Sequence, residues 1–392
     1  MQSMKRIPLA IPHMGGKEMD YIKKAFAENW IAPVGPNVDL FEEKVRDYTG
    51  AEFATATSSG TAAIHLALQL LDVTQGDTVF CPSFTFAASA NPIHYQGAQA
   101  VFIDSELETW NMSPIALERA LLDAKQNNQL PKAIIVVHIY GQPAKMTEIM
   151  ALAKAYKVPI VEDAAESLGS LYQGVQTGTI GDIGIYSFNG NKIITTSGGG
   201  MLVSANEAWA QEAKFLSEQA KDPAPYYQHE KIGYNYRLSN VSAGIGCGQM
   251  EVLQERINQK RLIFERYKEG FTRYMETFSN FPRITCQQEI AGTFSNRWLS
   301  TIQMEGVHPL QLKEALDAAG MEGRLLWKPL HLQPVFQKNR FFAEDPNVNI
   351  SNAQRLFESG LCLPSATQMT SNEQHRVIQT VAKFLIQAGE SK

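Results

Sequence analysis

The sequence predicts an α/β protein, with one large, mostly parallel β-sheet covered by helices on both faces and a smaller C-terminal α+β domain. Between about residues 53 and 163, short runs rich in β-branched residues alternate with helical patterns, which is typical of parallel β-α-β units. The runs AIIVV and VPIV are almost entirely apolar, as expected for strands buried on both faces. After about residue 204 the pattern changes to long helical stretches, which indicates a second domain in a chain of 392 residues.

The elements of the large sheet follow one another closely along the chain. In chain order, the predicted strands are FATAT, TVFCP, QAVFIDS, AIIVV and VPIV. Helices are predicted from Thr61, through FAASANPIHYQG, and from Pro114. Two further strands, IGIYSF and GMLVS, enclose a polar loop that ends in Gly198, Gly199 and Gly200. Ligands of such sheets bind at the carboxyl ends of the strands, so this loop is a candidate site.

The C-terminal part of the chain is dominated by helical patterns. The longest runs from about Asn240 to Thr277, and an antiparallel-looking strand, RWLSTIQM, and a closing helix come after it. We therefore predict a large domain over residues 1–240, with an N-terminal arm over about 1–30, and a smaller domain over residues 241–392.

Composition excludes several classes of protein. The net charge of -5 comes from 40 acidic and 35 basic residues without a dense Lys/Arg run, which argues against a nucleic-acid partner. The 4 cysteines lie far apart and have no histidine at metal-ligand spacing, so neither a metal site nor a disulfide framework is expected. Pro8 and Pro12 interrupt the N-terminal apolar stretch, so no signal peptide is expected, and no apolar run is long enough to span a membrane. These features predict a cytoplasmic protein.

The segment SSGTAA is a candidate phosphate site. It follows a strand and opens a helix, so the backbone N–H groups of Ser59, Gly60, Thr61 and Ala62 lie where a helix N-terminus favours an anion. The alternative is that the serine only caps the helix. The segment lacks the glycine spacing of dinucleotide-binding folds and the Gly-Lys-Ser/Thr of nucleotide hydrolases, which disfavours both classes.

Two further segments place ionisable groups after strands. VEDAAES brings Glu162, Asp163 and Glu166 to the end of a buried strand, where carboxylates are costly unless a cation meets them. Asp163 is either functional or the cap of a following helix. SFNGNK places Ser187 and Lys192 after the next strand, and the alternative for Lys192 is an ordinary surface lysine.

Taken together, these groups match the needs of pyridoxal 5'-phosphate (PLP) chemistry. Such an enzyme needs a lysine to form an imine with the cofactor, a carboxylate to keep the pyridine nitrogen protonated, and a backbone site for the phosphate. Metal-based chemistry needs none of these in this order.

The order SSGTAA, PSFTFAAS, EDAAES, SFNGNK, GYNYRLSN and KPLHLQPVF resembles the DegT/DnrJ/EryC1/StrS family of sugar aminotransferases over nearly the whole chain. The resemblance implies a PLP-dependent transferase of fold type I, L-glutamate as amino donor, and a homodimer with shared active sites. SFNGNKIITTSGGGM and APVGPNV are most similar to enzymes that aminate UDP-linked 4-keto-6-deoxy-N-acetylhexosamines on the way to bacillosamine or legionaminic acid.

The resemblance also implies roles for individual residues. Lys192 is implied to be the imine lysine and Asp163 the partner of the pyridine nitrogen, while Glu166 stands where the family often has Gln or His beside the ring hydroxyl. Phe86 is implied to stack on the cofactor, with core packing as the alternative. The residues implied to hold the cofactor phosphate are Ser59, Gly60, Thr61, Ser187 and, from the partner subunit, Asn235.

The substrate residues implied by the resemblance lie in two later segments. Tyr236 and Arg237 are expected to face the diphosphate of a nucleotide sugar, although a solvated arginine is an alternative. Lys328 and His331 are expected to border the sugar pocket, with a structural histidine as the alternative.

The expected activity is transfer of the amino group of glutamate to the C4 keto group of the sugar. Related dehydratases have His in place of the imine lysine, and this chain has Lys192. The alternatives are amination of a dTDP-linked or 3-keto sugar, an aminotransferase for small keto acids, and a PLP-binding regulator without turnover.

Overall fold

The computed structural model describes residues 6–390, and within that range the strands form three sheets. The strands are β1 (Phe53–Thr57), β2 (Thr78–Pro82), β3 (Gln99–Ile103), β4 (Ala133–Val137), β5 (Ile160–Asp163), β6 (Leu171–Tyr172), β7 (Val175–Gln176), β8 (Ile183–Ser187), β9 (Gly200–Ser204), β10 (Ile284–Cys286), β11 (Thr293–Phe294), β12 (Ser300–Met304), β13 (Arg324–Leu325), β14 (Phe341–Phe342) and β15 (Gly360–Leu363). The α-helices are α1 (Glu18–Ala27), α2 (Pro36–Thr49), α3 (Gly60–Leu70), α4 (Asn91–Tyr95), α5 (Pro114–Gln126), α6 (Met146–Tyr156), α7 (Glu207–Ser217), α8 (Asn240–Met250), α9 (Leu253–Thr277), α10 (Pro309–Ala318), α11 (Asn352–Ser359) and α12 (Ser371–Glu390). Residues 1–5, part of the segment in which no signal peptide is expected, lie outside the described residues.

The large sheet has the order β1-β9-β8-β5-β4-β2-β3-β14. From β8 to β14 every neighbouring pair is parallel, whereas β9 runs antiparallel to both β8 and β1. Every residue of β4 is buried, because α3 and α4 pack on one face of the sheet and α5 and α6 on the other. The predicted α/β class with a large, mostly parallel sheet is confirmed.

The predicted helix through FAASANPIHYQG is not continuous. The structure has a short 3₁₀ turn over Ala87–Ser89 and then α4, Asn91–Tyr95, which has proline at its start. Pro92 cannot donate an N–H to a preceding helical turn, so it begins a new helix and does not extend the earlier one. The chain is therefore irregular around residues 84–90, beside the carboxyl end of β2.

The helical stretch predicted from Asn240 to Thr277 is divided between α8 and α9 at Glu251 and Val252. α8 packs closely on α1, and a Cβ atom on Gly248 would lie 2.7 Å from the backbone nitrogen of Glu18. α9 instead packs on α12 and β12, so the chain has to change direction between the two helices. In residues 6–390 no helix is both long and apolar enough to cross a membrane.

The second sheet is antiparallel and has the order β10-β12-β15-β13. It shares an apolar core with α9, α10 and α12. The predicted strand RWLSTIQM is present from Ser300, and Trp298 lies just before it. The division of the chain at residue 240 stays a prediction, and β14, from the C-terminal part, joins the edge of the large sheet.

Candidate active site

A cavity of about 430 Å³ lies at the carboxyl ends of the parallel strands β2, β4, β5 and β8. The start of α3 and the loop between β8 and β9 form further parts of its wall. The predicted cofactor-binding residues that line the cavity are Ser59, Gly60, Thr61, Phe86, Asp163, Glu166, Ser187 and Lys192. Segments that are distant in sequence are therefore brought to one edge of the sheet, where ligands of α/β proteins bind.

Lys192 is held in the cavity by a folded loop. Its Nζ atom lies 3.6 Å from Oε1 of Glu166 and 4.3 Å from the centre of the Trp298 ring. The Trp298 indole N–H donates to the carbonyl of Asn191, at 2.7 Å, which fixes the loop against the ring. The lysine side chain is 13% exposed, so Lys192 is not a surface lysine.

Asp163 is the last residue of β5 and is buried. Its Oδ2 atom accepts a hydrogen bond from the Ser89 hydroxyl at 2.6 Å, and its Oδ1 accepts one from the Ala165 N–H at 3.2 Å. Ser89 in turn shares a hydrogen bond of 2.9 Å with Thr85. No helix begins directly after β5, where residues 165–169 form turns, so the helix-cap alternative for Asp163 is wrong.

Glu166 lies opposite Lys192 and is also buried. Its Oε2 atom accepts a hydrogen bond from the Tyr140 N–H at 2.7 Å. Burial raises the pKa of Glu166 to about 6, against the opposing effects of Lys192 and of the Tyr140 hydrogen bond, and the neighbouring Asp163 charge adds to the increase. Near neutral pH this carboxyl group can therefore change its protonation state.

The turn at the start of α3 combines a helix cap with an open anion site. The Ser59 hydroxyl accepts from the Ala62 N–H at 3.0 Å, so the capping interpretation is confirmed, yet the same residue lines the cavity. The first N–H groups of α3, at Gly60 and Thr61, have no acceptor within the helix. A Cβ atom on Gly200 would lie 2.4 Å from the carbonyl carbon of Ser59, so only glycine permits this approach of β9 to the turn.

Phe86 forms an aromatic part of the cavity wall. Its side chain is 55% exposed, and its ring centre lies 5.3 Å from that of Trp327. Phe84 is the neighbour that packs in the core, where it is 1% exposed. The core-packing alternative for Phe86 is therefore wrong, and its ring is available to a ligand.

Five predicted residues do not line this cavity, and three of them lie in the segment GYNYR. Asn235 and Arg237 border a separate hollow that includes Glu218. Arg237 is buried and forms ion pairs with Glu42 and Glu218, so the solvated-arginine alternative is wrong. The Tyr236 hydroxyl is 3.1 Å from Nδ1 of a buried histidine of α3.

Lys328 and His331 follow Trp327 in the chain and do not line the cavity. Lys328 is exposed to solvent. Nδ1 of His331 is 2.6 Å from the Ser83 hydroxyl, and its ring stacks on Phe341 with centres 3.8 Å apart. Burial lowers the pKa of His331 to about 4, so this ring is neutral at physiological pH. The structural alternative for His331 agrees with these contacts.

Several lining residues were not anticipated from the sequence. Trp298, Arg324 and Trp327 enter the cavity from the part of the chain that also builds the second sheet. Ser89 lies in the irregular segment after β2 and holds Asp163. Trp298 lies in the predicted strand RWLSTIQM, and Trp327 directly precedes KPLHLQPVF. Nothing in the spacing of these tryptophans along the chain relates them to Lys192, so the sequence did not indicate that they line the cavity.

The comparisons with known proteins agree over almost the entire chain. The profile of the DegT/DnrJ/EryC1/StrS aminotransferase family matches residues 12–382. A putative pyridoxal phosphate-dependent aminotransferase of Bacillus subtilis, EpsN, is 53% identical over 96% of this chain and 95% of its own. GDP-perosamine synthase of Escherichia coli O157:H7 is 33% identical over 97% of this chain and 99% of its own. The crystal structure of a DegT DnrJ EryC1 StrS aminotransferase from Brucella abortus superimposes with a TM-score of 0.85 at 28% identity, over 94% of this chain and 95% of that one.

Proposed function

This chain belongs to the DegT/DnrJ/EryC1/StrS aminotransferase family, and on that premise we propose that it transfers the amino group of L-glutamate to the C4 keto group of a nucleotide-linked 4-keto-6-deoxy-N-acetylhexosamine. Its cofactor is pyridoxal 5'-phosphate. The observation that carries the proposal is that Lys192 and Asp163 line one cavity at the ends of neighbouring strands, with Glu166 beside the lysine.

The residues of the cavity fit this cofactor. The opening turn of α3 lines the cavity with N–H groups that the helix leaves free for a phosphate, and Gly200 packs against this turn without a side chain. Asp163 offers a buried carboxylate, and Lys192 offers an amine. The exposed face of Phe86 suits an aromatic ring.

We assign the residues as follows. Ser59, Gly60, Thr61 and Ser187 would hold the cofactor phosphate. Phe86 would stack on the ring, and Asp163 would pair with its nitrogen. Glu166 would face the ring hydroxyl. When bound, the cofactor supplies a carbonyl group that reacts with amines and a ring that accepts electrons.

The side chains of the protein then perform positioning and proton transfer. The carboxylate of Asp163 is oriented by the Ser89 hydroxyl, which keeps its charge directed into the cavity. The Nζ atom of Lys192 would hold the cofactor and would serve as the base that moves the proton at the reacting carbon. Glu166 lies 3.6 Å from that nitrogen and keeps it within the cavity. The Trp298 ring excludes water from one side of the same amine.

The sugar and its nucleotide are inferred from resemblance. SFNGNKIITTSGGGM and APVGPNV favour a UDP-linked N-acetylated sugar. A GDP-linked sugar is the second candidate, because relatives that are 33% and 34% identical are named GDP-perosamine synthases. A dTDP-linked or 3-keto sugar remains a third alternative. A regulator without turnover is disfavoured, since Lys192, Asp163 and the phosphate turn are all in place.

Assembly and substrate contacts are also part of the proposal. Asn235 lies outside the cavity of its own chain, which agrees with a role in the neighbouring active site of a homodimer. We assign Tyr236 and Lys328 to nucleotide-sugar binding in that dimer. Arg237, which is paired with Glu42 and Glu218, and His331, which is held by Ser83, would position that surface. We infer a cytoplasmic enzyme.

A substrate panel tests the proposed function. UDP-, GDP- and dTDP-linked 4-keto-6-deoxy sugars, with and without the N-acetyl group, are incubated with the holoenzyme and L-glutamate beside small keto acids. Mass spectrometry should detect an aminated UDP-linked N-acetyl sugar, and NMR should place the amine at C4. A Lys192→Ala variant serves as the inactive control. Amination of keto acids alone would contradict the proposal, as would an amine at C3.

A further inference from the structure

Arg324 is a cation of the active-site cavity that the proposed roles do not use. It begins β13, the short edge strand of the second sheet, and its side chain is 42% exposed. Among residues 6–390, Lys192 and Arg324 are the cationic side chains that line the cavity. Since Lys192 is assigned to the cofactor, Arg324 is the cation that remains for a substrate.

Contacts connect Arg324 to the end of the cavity that holds Lys192. Three residues after Arg324, the Trp327 N–H donates to the Tyr140 hydroxyl at 3.0 Å, and the two rings stack with centres 6.2 Å apart. The Tyr140 N–H donates to Glu166, which is 3.6 Å from the Lys192 nitrogen. The segment that carries Arg324 is therefore packed against residues that also hold Glu166 and Lys192, and the Arg324 side chain lines the same cavity.

The guanidinium group of Arg324 is only lightly engaged. Its Nη2 atom lies 3.3 Å from Oε1 of Glu322, and the other oxygen of Glu322 accepts from the Leu9 N–H at 3.0 Å. The Glu322 side chain is 30% exposed, so this is a solvated ion pair, which contributes little. A guanidinium carries five N–H donors. Arg324 can therefore donate hydrogen bonds to a second carboxylate and keep its contact with Glu322.

We propose that Arg324 binds a carboxylate of the amino donor, an inference that rests on the proposed function. Any α-amino acid donor carries a carboxylate on the carbon that bears the reacting amine, and glutamate carries a second at the end of its side chain. A carboxylate that leaves water for a half-enclosed cavity needs a charged partner. The planar guanidinium fork matches a carboxylate with two parallel hydrogen bonds, and it thereby fixes the donor's orientation as well as its affinity.

The test measures the two half-reactions separately, from the absorbance of the cofactor in the holoenzyme. The variants are Arg324→Gln and Arg324→Lys. Arg283→Gln is the matched control, because the Arg283 side chain is 73% exposed and forms a long ion pair of 4.0 Å with Glu305. The donors are L-glutamate, 4-aminobutyrate, which lacks the α-carboxylate, and L-2-aminobutyrate, which lacks the side-chain carboxylate. The acceptor half-reaction uses the keto sugar that the parent enzyme aminates.

Arg324→Gln should raise the half-saturating concentration of L-glutamate by roughly tenfold to a hundredfold, with partial recovery in Arg324→Lys. The donor that lacks the contacted carboxylate should react equally with parent and variant, which identifies the carboxylate. The keto-sugar half-reaction and Arg283→Gln should match the parent.

Two results would overturn the inference. One is an Arg324→Gln enzyme whose half-saturation with glutamate stays within about twofold of the parent. The other is a loss confined to the keto-sugar half-reaction, which would assign Arg324 to the diphosphate. If the parent uses another amino acid and not glutamate, the donor in the proposed function is wrong. The same comparison made with that amino acid then still decides whether Arg324 binds its carboxylate.

Discussion

At the scale of single residues, Asp163 combines burial with a defined orientation. Replacement by asparagine keeps the acceptor for the Ala165 N–H and the contact with Ser89, so the fold should persist. The amide lacks the charge that we propose to pair with the cofactor nitrogen. We therefore expect Asp163→Asn to retain PLP and to lose roughly a hundredfold or more in the rate of the glutamate half-reaction.

Stopped-flow absorbance with saturating glutamate measures this rate. The matched control is Asp123→Asn, since Asp123 forms an exposed ion pair with Arg340 away from the cavity. A parent-like rate in Asp163→Asn would remove the proposed role of the carboxylate.

Glu166 makes a second residue-level prediction, which concerns pH. In the folded protein its pKa lies at about 6, above the ordinary value of 4.5, because burial penalises the charged form. The folded state thus binds the proton more tightly than the unfolded state. Proton binding by Glu166 therefore adds about 2 kcal/mol to the free energy of unfolding. This contribution is fully present below pH 4.5 and is lost as the pH rises through 6.

Infrared difference spectra between the cofactor-free parent and Glu166→Gln should isolate this carboxyl group. We expect its protonated band to disappear with a midpoint near pH 6. A band already absent at pH 5 would show that Lys192 outweighs the effect of burial.

At the scale of elements, the contact between β9 and the opening turn of α3 determines the shape of the proposed phosphate end. In Gly200→Ala the new Cβ atom would lie 2.4 Å from the Ser59 carbonyl carbon, so the backbone of one element must shift. Overpacking of this kind costs about 1–3 kcal/mol. We expect PLP to bind roughly tenfold or more weakly, with little change in secondary structure.

Equilibrium titration of the apoenzyme with PLP, followed by circular dichroism, measures both properties. Gly190→Ala is the matched control, because Gly190 lies in the loop that leads into β9 and a Cβ atom there would meet no atom within 4 Å. Equal PLP affinity in the two variants would argue against a phosphate site at this contact.

The elements also show what periodicity predicts and what it does not. Strands such as β4 were predictable because burial on both faces requires a continuous apolar run. The break between α8 and α9 was not, because it depends on the direction in which each helix packs and Val252 carries no helix-breaking signal. β14 was missed because Phe341–Phe342 is a strand only through its pairing with β3.

At the scale of the whole molecule, the site is assembled from regions far apart in the chain. The convergence of Asp163 and Lys192 was predictable, because Asp163 ends one parallel strand and Lys192 follows its neighbour, and the carboxyl ends of both strands reach the same sheet edge. Trp298, Arg324 and Trp327 were not, because their arrival depends on how the second sheet packs against the first. Sequence patterns therefore predict the cavity wall built by the large sheet better than the wall contributed by the C-terminal part of the chain.

The last prediction concerns the assembly of two chains. Asn235 is exposed and borders a hollow outside the cavity of its own chain, next to Pro33 and Val34. Val34, at 58% exposed, and Ile232, at 87% exposed, add apolar surface that a partner subunit would cover. If Asn235 completes the neighbour's site, Lys192→Ala and Asn235→Trp should each be inactive alone and should complement each other when mixed.

The amount of recovered activity is fixed by symmetry. After subunit exchange at equal concentrations, about half of the dimers are hybrids, and one of the two sites in each hybrid has both Lys192 and Asn235 intact. The mixture should therefore regain about a quarter of parental activity. The control mixes Lys192→Ala with the Lys192→Ala/Asn235→Trp double variant, in which no hybrid has an intact site. If native mass spectrometry detects hybrids and the first mixture stays as inactive as this control, Asn235 does not act across the dimer interface.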